Sequence, residues 1–312
     1  MQDRKLTVLV TGACGFIGLN LCRHLVERGH HVVAADRRTR PNELQCAAFH
    51  QIDLNDLKAT EAMLASDSPD WLLHLAARTD LGGIDLDAYV DNIVPTWNLL
   101  FGVQRTSPVT RVVAFSSMLE DTTRSSPAYF YGLSKRRGEE ICAGFSNSLK
   151  VTVVRPPSVW GPHFHEPYRP FFHTVLAGRF VHCSVFDGRK TFAYVGNLVL
   201  QIEAIMANQD TLPHAFYLGD APPMSANEFA REIAAQGGVR IRTVPAAAIW
   251  LAALVGSALA MTGIRFPITM FRLSNMRKGR TVDVAPINHV TPHRADLPTA
   301  VRQTMAWLGE KT

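Results

Sequence analysis

The stretch Leu6-Thr-Val-Leu-Val-Thr-Gly-Ala-Cys-Gly-Phe-Ile-Gly18 decides how this chain is read. Leu6–Val10 is a short apolar run of the kind that forms a buried strand. A helical pattern follows through about Arg28, with Ile17, Leu21 and Leu25 on one face. Three glycines lie between strand and helix, and each has a physical task. Gly12 permits a tight turn, Gly15 lets the backbone approach a pyrophosphate, and Gly18 allows the helix to pack closely on the strand. The helix N-terminus then offers N–H groups and the positive end of its dipole to phosphates. A glycine triplet alone says little; the strand before it and the helix after it give it meaning.

Working outward, His31–Ala35, Trp71–Ala76, Arg111–Phe115 and Val151–Arg155 read as further strands, separated by helical stretches. Regular alternation of this kind predicts a parallel sheet with helices on both faces. The expectation is a Rossmann-type doubly wound α/β sheet over residues 1–160, with later contributions near 191–219. Residues 161–312 are expected to form mainly a smaller, mixed substrate-binding lobe. Gly161–Arg169 reads as a loop rich in Pro, His and aromatics, and helices are predicted at Val195–Ala207 and Ser225–Gln236.

The chain has 312 residues, 47% of them hydrophobic and 19% charged, enough for a sizeable core and inconsistent with global disorder. Its net charge of +5 suits an anionic ligand. The charges are scattered, without the aromatic-interleaved basic stripe of a nucleic-acid protein, so no nucleic-acid partner is expected. Five cysteines, odd in number and without a CxxC pair, argue for a reducing compartment. With no signal-peptide pattern ahead of the first strand, a cytoplasmic location is expected. Ala246–Ile264 lacks any charge. Its large residues Trp250, Leu251, Leu254, Val255 and Leu259 share one stripe, which predicts a core or subunit-interface helix and no stable membrane span, with contact at a membrane surface the alternative.

Asp36 closes the second strand, where a carboxylate would accept hydrogen bonds from adenosine ribose hydroxyls and repel a 2′-phosphate, favouring NAD. Arg37, Arg38 and Arg40 beside it keep NADP open. Asp53 could meet the adenine amino group, and the small residues of His74-Leu-Ala-Ala77 would let the backbone pass close to the cofactor. Tyr131 and Lys135 stand four apart on one helical face. An ammonium beside a phenol lowers its pKa toward neutrality, so Tyr131 could exchange a proton with a substrate hydroxyl. Ser116 and Ser117, just past a strand, supply a hydroxyl to hold the substrate oxygen. His163 and His165 form an HxH pair without a third ligand, so no metal is expected. Arg272, Arg277, Lys278 and Arg280 form a basic cluster, read as solvated surface or a phosphate contact. Cys14 is read as a small filler of the glycine loop.

Taken in order, TGACGFIG, Asp36, HLAA, the Ser pair, YGLSK and Arg155-Pro-Pro-Ser-Val-Trp-Gly-Pro162 resemble the extended short-chain dehydrogenases/reductases. The chain is similar to their NAD-dependent epimerase/dehydratase family, of which UDP-galactose 4-epimerase is a member. Thr191–Leu198 resembles a weaker family signature. The resemblance implies Tyr131 as acid/base, Lys135 as its activator and ribose ligand, and Ser117 as hydroxyl partner, with Ser116 the alternative. It implies cofactor contacts from Gly12, Gly15, Phe16, Ile17, Gly18, Asp36, Asp53, Leu54, Leu75, Ala76 and Ala77, and from Tyr131, Lys135, Pro156 and Val159. Substrate would meet Thr79, Ser116, Ser117, and Arg189 or Lys190, which stand where relatives hold a diphosphate.

Two departures matter. Met118-Leu119 replaces the Asp-Glu pair of the 4,6-dehydratases, which counts against water elimination, and Ser158 stands where an Asn is common. The implied function is an NAD-dependent nucleotide-sugar epimerase, a homodimer built on helices near Leu86–Leu100 and Ser134–Phe145. The alternatives are an NAD(P)-dependent reductase or dehydrogenase of a keto-sugar or hydroxysteroid-like alcohol, and a non-catalytic dinucleotide-sensing module.

Overall fold

The computed structural model describes residues 5–106, 110–164, 168–183, 187–261, 269–270, 273, 277–291 and 294–309. In chain order it runs β1 (Thr7–Thr11), α1 (Phe16–Glu27), β2 (His31–Asp36), β3 (Ala48–Gln51), α2 (Leu57–Asp67), β4 (Trp71–His74), α3 (Val94–Thr106), β5 (Arg111–Phe115), α4 (Tyr129–Phe145) and β6 (Val151–Arg155). There follow β7 (Ser158–Trp160), α5 (Tyr168–Leu176), β8 (Val181–His182), β9 (Phe192–Tyr194), α6 (Val195–Asn208), β10 (Ala215–Tyr217), α7 (Ala226–Gln236), β11 (Arg242–Thr243), α8 (Ala246–Met261), α9 (Ala285–Val290) and α10 (Leu297–Gly309).

The chain divides into two units. The first comprises residues 1–157, 198–218 and 284–292. Among its described residues seven strands form one parallel sheet in the order β10-β6-β5-β4-β1-β2-β3, a Rossmann-like α/β fold. The strands are near-continuous runs of Val, Leu and Ala because helices cover both faces. Leu9, Val33, Leu72, Val112 and Val153 from five of them pack with Leu64 of α2 and Leu99, Leu100 and Val103 of α3. Asp56 caps α2 by accepting from the Ala59 N–H at 3.1 Å, satisfying one of the donors a helix start leaves unpaired. On another helix, Glu203 of α6 takes His24 of α1 at 2.8 Å.

The second unit comprises residues 158–197, 219–283 and 293–312. The boundary falls at Pro157 and not at Trp160, because Ser158–Trp160 pairs in parallel with Phe192–Tyr194. The return of 284–292 to the first unit has no signature in the sequence. The second unit's core is aromatic: Trp160 lies 4.7 Å from Phe229, 5.1 Å from Tyr194 and 6.0 Å from Phe172, centroid to centroid. Its helix α7 opens on a reciprocal cap between Ser225 and Glu228.

The 246–264 segment is a helix to Met261, and its stripe is not core. Ile249 and Ala253 are buried, while Leu251, Leu254 and Val255 are exposed. Small Ala and Gly residues let the helix seat closely on their side and turn the bulky side outward. Among the described residues no helix is long and apolar enough to cross a membrane.

Candidate active site

The first unit gathers most of the expected residues at the C-terminal ends of its parallel strands, where open α/β sheets place their ligands. Gly12 follows β1 with φ +68°, and a Cβ there would stand 2.7 Å from the Ala76 backbone nitrogen. Only glycine allows the turn and the β4 loop to approach so closely. At Gly18 a Cβ would meet the Gly12 carbonyl oxygen at 2.4 Å, so α1 must start flush against the loop. Gly15 is the N-cap of α1 and no side chain caps the helix. Phe16 and Ile17 open it, so its first-turn amides and positive dipole end face the glycine loop. That is the arrangement a dinucleotide pyrophosphate requires, and the residues present fit one.

Asp36 ends β2, buried. Its carboxylate accepts from the Cys14 N–H at 3.0 Å, from the Arg38 N–H at 3.0 Å, and from the Arg38 guanidinium at 3.1 Å on both oxygens. Burial pushes this carboxyl up, but the Arg38 and Cys14 bonds and the Arg38 charge hold it below the ordinary range. Of the arginines beside it, Arg37 pairs instead with Asp91 at 2.9 Å. Burial, with Asp36 adding to it, raises the Cys14 thiol to about 11, so it carries no thiolate at neutral pH.

The remaining expected cofactor residues divide. Asp53 is exposed and accepts from Asn55 N–H and Nδ2 at 3.0 and 2.9 Å. Leu54 sends its side chain into the core, so only its backbone can face a ligand. Leu75 donates its N–H to the Thr11 carbonyl at 3.2 Å, and Ala76 and Ala77 follow, half-buried. Thr79 is exposed beyond them. Pro156 accepts from the Met118 N–H at 3.0 Å, whereas Val159 stands in β7 of the second unit.

Tyr131 and Lys135 share α4, and both are buried. The Ser117 side chain lies near enough to the Tyr131 phenol to lower its pKa, and it accepts the Leu119 N–H at 3.1 Å. The structure thus brings Ser117 to Tyr131. Ser116 points elsewhere: its Oγ donates to Glu139 Oε1 at 2.5 Å. Adjacent past a strand end, the two serines take different partners, Glu139 for one and the Leu119 amide for the other.

The expectation of a phenol drawn toward neutrality needs correction. Burial raises the Tyr131 pKa, the Ser117 side chain opposing it and Tyr89 adding to it. The Lys135 Nζ donates to the Phe115 carbonyl at 3.0 Å. Burial lowers the Lys135 ammonium to about 8 from its usual 10.5.

Several residues that the motifs did not single out build the floor of this site. Glu139, four residues beyond Lys135, takes the Arg155 guanidinium through Nε at 2.9 Å and Nη2 at 2.6 Å. Glu120 takes the Tyr217 hydroxyl at 2.9 Å. Asn92 accepts the Arg78 N–H at 2.7 Å and donates to Ser134 Oγ at 2.9 Å, tying the β4 loop to α4. His74 is buried between Thr11 Oγ1 at 2.8 Å and Thr96 Oγ1 at 3.1 Å. Thr96 already donates its proton to the Asn92 carbonyl, so His74 donates through Nε2 and accepts through Nδ1. Burial holds this imidazole neutral, near 3. Beside Lys135 lies a small cavity of about 20 Å³, lined in part by His74, Thr96, Ser116 and Glu139. The spacing of Glu139 from Tyr131 and Lys135, at eight and four residues, was the one available signal for it.

The arrangement can move a proton at a substrate oxygen beside a bound dinucleotide. Residues 8–219 match the family described as NAD dependent epimerase/dehydratase. The chain belongs to that family. Members of the NAD dependent epimerase/dehydratase family are enzymes of the extended short-chain dehydrogenase/reductase type, and so is this chain. Among its relatives in sequence is a 3 beta-hydroxysteroid dehydrogenase/Delta 5-->4-isomerase of Mycobacterium tuberculosis. It is 29% identical over 276 residues, covering 77% of this chain and 73% of that protein. A UDP-glucose 4-epimerase of Vibrio cholerae is 25% identical over 254 residues, covering 74% and 76%. In structure, the UDP-glucuronic acid 4-epimerase of Bacillus cereus, solved in complex with NAD, superposes with a TM-score of 0.73. It covers 98% of this chain and 99% of that one at 18% identity.

The residues expected to hold a diphosphate lie in the second unit. The Arg189 guanidinium is engaged, donating to the Pro223 carbonyl at 2.6 and 3.0 Å and to Glu228 at 3.1 Å. Lys190 differs. Its backbone pairs with Met224 on one side and Arg280 on the other, which brings the two basic segments of the sequence together. Its ammonium is half-buried, and burial alone lowers it. His163, with φ +70°, lies 5.5 Å from the Trp307 ring at a tilt of 45°, and His165 lies outside the described residues. Among the described residues no group of three or more His, Cys, Asp or Glu side chains could hold a metal ion.

Proposed function

We propose that this enzyme is an NAD-dependent nucleotide-sugar epimerase. The observation that carries the reading is Lys190, a half-buried cation without an anionic side chain among its described partners, paired along its backbone with Arg280. A half-buried ammonium is stabilised by an anion, and the reading assigns it the substrate diphosphate. Arg189 is set aside from that role.

The glycine loop and α1 would hold the dinucleotide, with Asp36 at the adenosine ribose and Lys135 at the nicotinamide ribose. When bound, NAD supplies a hydride acceptor that becomes a donor once reduced. Ser117 holds the sugar hydroxyl at the phenol. Tyr131 takes its proton as the carbon is oxidised and returns it after the keto-sugar has turned. The Lys135 charge would stabilise the phenolate before that proton is taken and again once it has been returned. Met118 and Leu119 offer neither acid nor base, so no water is eliminated. Arg38, on the Asp36 carboxylate, is the group through which a 2′-phosphate could be accommodated, and it keeps NADP as the finer alternative. The exposed Trp97 of α3, stacked 4.6 Å from the half-buried Phe101 ring, supports a homodimer through that helix.

A second reading, an NAD-dependent dehydrogenase of a hydroxysteroid-like alcohol, is favoured by the Mycobacterium tuberculosis relative. Mass spectrometry of the nucleotide released on denaturing freshly desalted protein separates the two. Stoichiometric NAD(H), followed by epimer formation from a UDP-, GDP-, CDP- or dTDP-sugar, supports the epimerase. An empty site, with turnover only when NAD(P) is supplied, moves the dehydrogenase ahead. Tyr131→Phe should abolish turnover in either case while NAD(H) binding is kept; turnover that survives the substitution refutes Tyr131 as the acid/base.

A further inference from the structure

Residues 233–282 contain seven Lys and Arg and no Asp or Glu. The whole chain carries +5, so everything outside this stretch is slightly negative. Within the stretch lies α8, sixteen residues without a charged side chain. One side of α8 is buried, at Ile249, Ala253 and Gly256. The other carries Ala247, Leu251, Leu254, Val255 and Ala258, spaced as a single stripe along the helix, and all of them are exposed. Leu251 is 64% exposed, Leu254 57% and Val255 48%. A surface helix of a globular protein carries polar residues in those places. A continuous apolar stripe held out in water marks a contact with something apolar.

The charges around the stripe identify its occupant. Trp250, beside the stripe, lies under the Arg277 guanidinium, 5.2 Å from Cζ to ring centroid. An aromatic body with a cationic head suits the headgroup level of a bilayer. Arg240 and Arg242 are exposed just ahead of the helix, and Lys278 is exposed beside Arg277. A second copy laid on this face would bring two acid-free cationic segments together. An anionic lipid surface meets the apolar stripe and the cations at once.

We propose that α8 docks this enzyme on anionic lipid bilayers, lying in the interface with Leu251, Leu254 and Val255 among the acyl chains and the flanking cations at the headgroups. At 1.5 Å per residue the helix is about 24 Å long, short of a hydrocarbon core of about 30 Å, so it lies on the membrane and does not span it. The inference stands independently of the reaction assigned above.

The test is co-sedimentation of the full chain with vesicles of phosphatidylcholine, alone or mixed with phosphatidylserine. The mixed vesicles are expected to retain the protein, with binding that weakens as salt rises. Leu254→Glu should lower the partition coefficient roughly tenfold, and Arg277→Glu about fivefold or more. Both sites are exposed, and thermal melts of the variants check that the fold is kept. Absence of binding to the mixed vesicles overturns the proposal, as does binding that ignores phosphatidylserine or survives Leu254→Glu. If vesicles are not bound but Leu254→Glu reduces the mass at sedimentation equilibrium, a second copy covers the stripe, and the lipid assignment is refuted.

Discussion

Replacing Lys135 by Met removes a buried cation from α4 and should change how stability responds to pH. In the native protein burial holds this ammonium near 8 against an ordinary 10.5, with Cys142 and Glu139 opposing the shift in part. Below pH 8 the lysine is charged in both folded and unfolded chains, and the folded state bears the full cost of a buried charge. Between pH 8 and 10.5 the unfolded chain keeps a proton that the folded one has released. Stability rises with pH wherever the unfolded state binds more protons, so the cost is relieved across that window and is gone above it. At about 1.4 kcal/mol per pH unit the relief amounts to about 3 kcal/mol. Urea unfolding of wild type and Lys135→Met from pH 7 to 10.5 isolates it, because the other titrating groups cancel in the difference. Wild type should gain on the variant as pH rises. A difference that stays flat, or changes in the opposite sense, would refute a buried, depressed lysine at this position. Turnover should fall over the same window, since a neutral amine no longer stabilises the Tyr131 phenolate.

Glu139→Gln keeps an acceptor for Ser116 but removes the charge that holds Arg155; a loss of about 2 kcal/mol is expected from the urea midpoint. Gly12→Ala places a Cβ against the Ala76 backbone at a positive φ. It should cost about 2–3 kcal/mol and abolish the thermal shift on adding NAD. Asp36→Ala should raise the affinity for NADPH relative to NADH about tenfold by removing a carboxylate that repels the 2′-phosphate, while Arg38→Ala should lower it. Fluorescence titration of each reduced dinucleotide reads both.

The strand–helix alternation of the first half, the parallel sheet and the glycine loop were legible in the sequence. Each rests on local pattern: apolar runs of strand length, a 3.6-residue helical period, glycines where the backbone needs positive φ or close approach. The spacing of Tyr131 and Lys135 places them on one helix face in any fold that keeps the helix. What surrounds those residues is a matter of tertiary placement. Nothing local says that Ser117 meets Tyr131 while Ser116 meets Glu139, because that depends on how β5 and α4 cross. The Lys135 and Tyr131 pKa values follow from burial, which belongs to the packed state, and the motif alone pointed the phenol in the wrong direction. Arg189 and Lys190 are adjacent in sequence yet differ in availability, because Pro223 and Glu228 come from distant chain to occupy one and not the other. The stripe on α8 has the pattern of a core helix, and no pattern records which side a neighbour covers. That is decided when the second unit seats the small residues inward and leaves Leu251, Leu254 and Val255 outside.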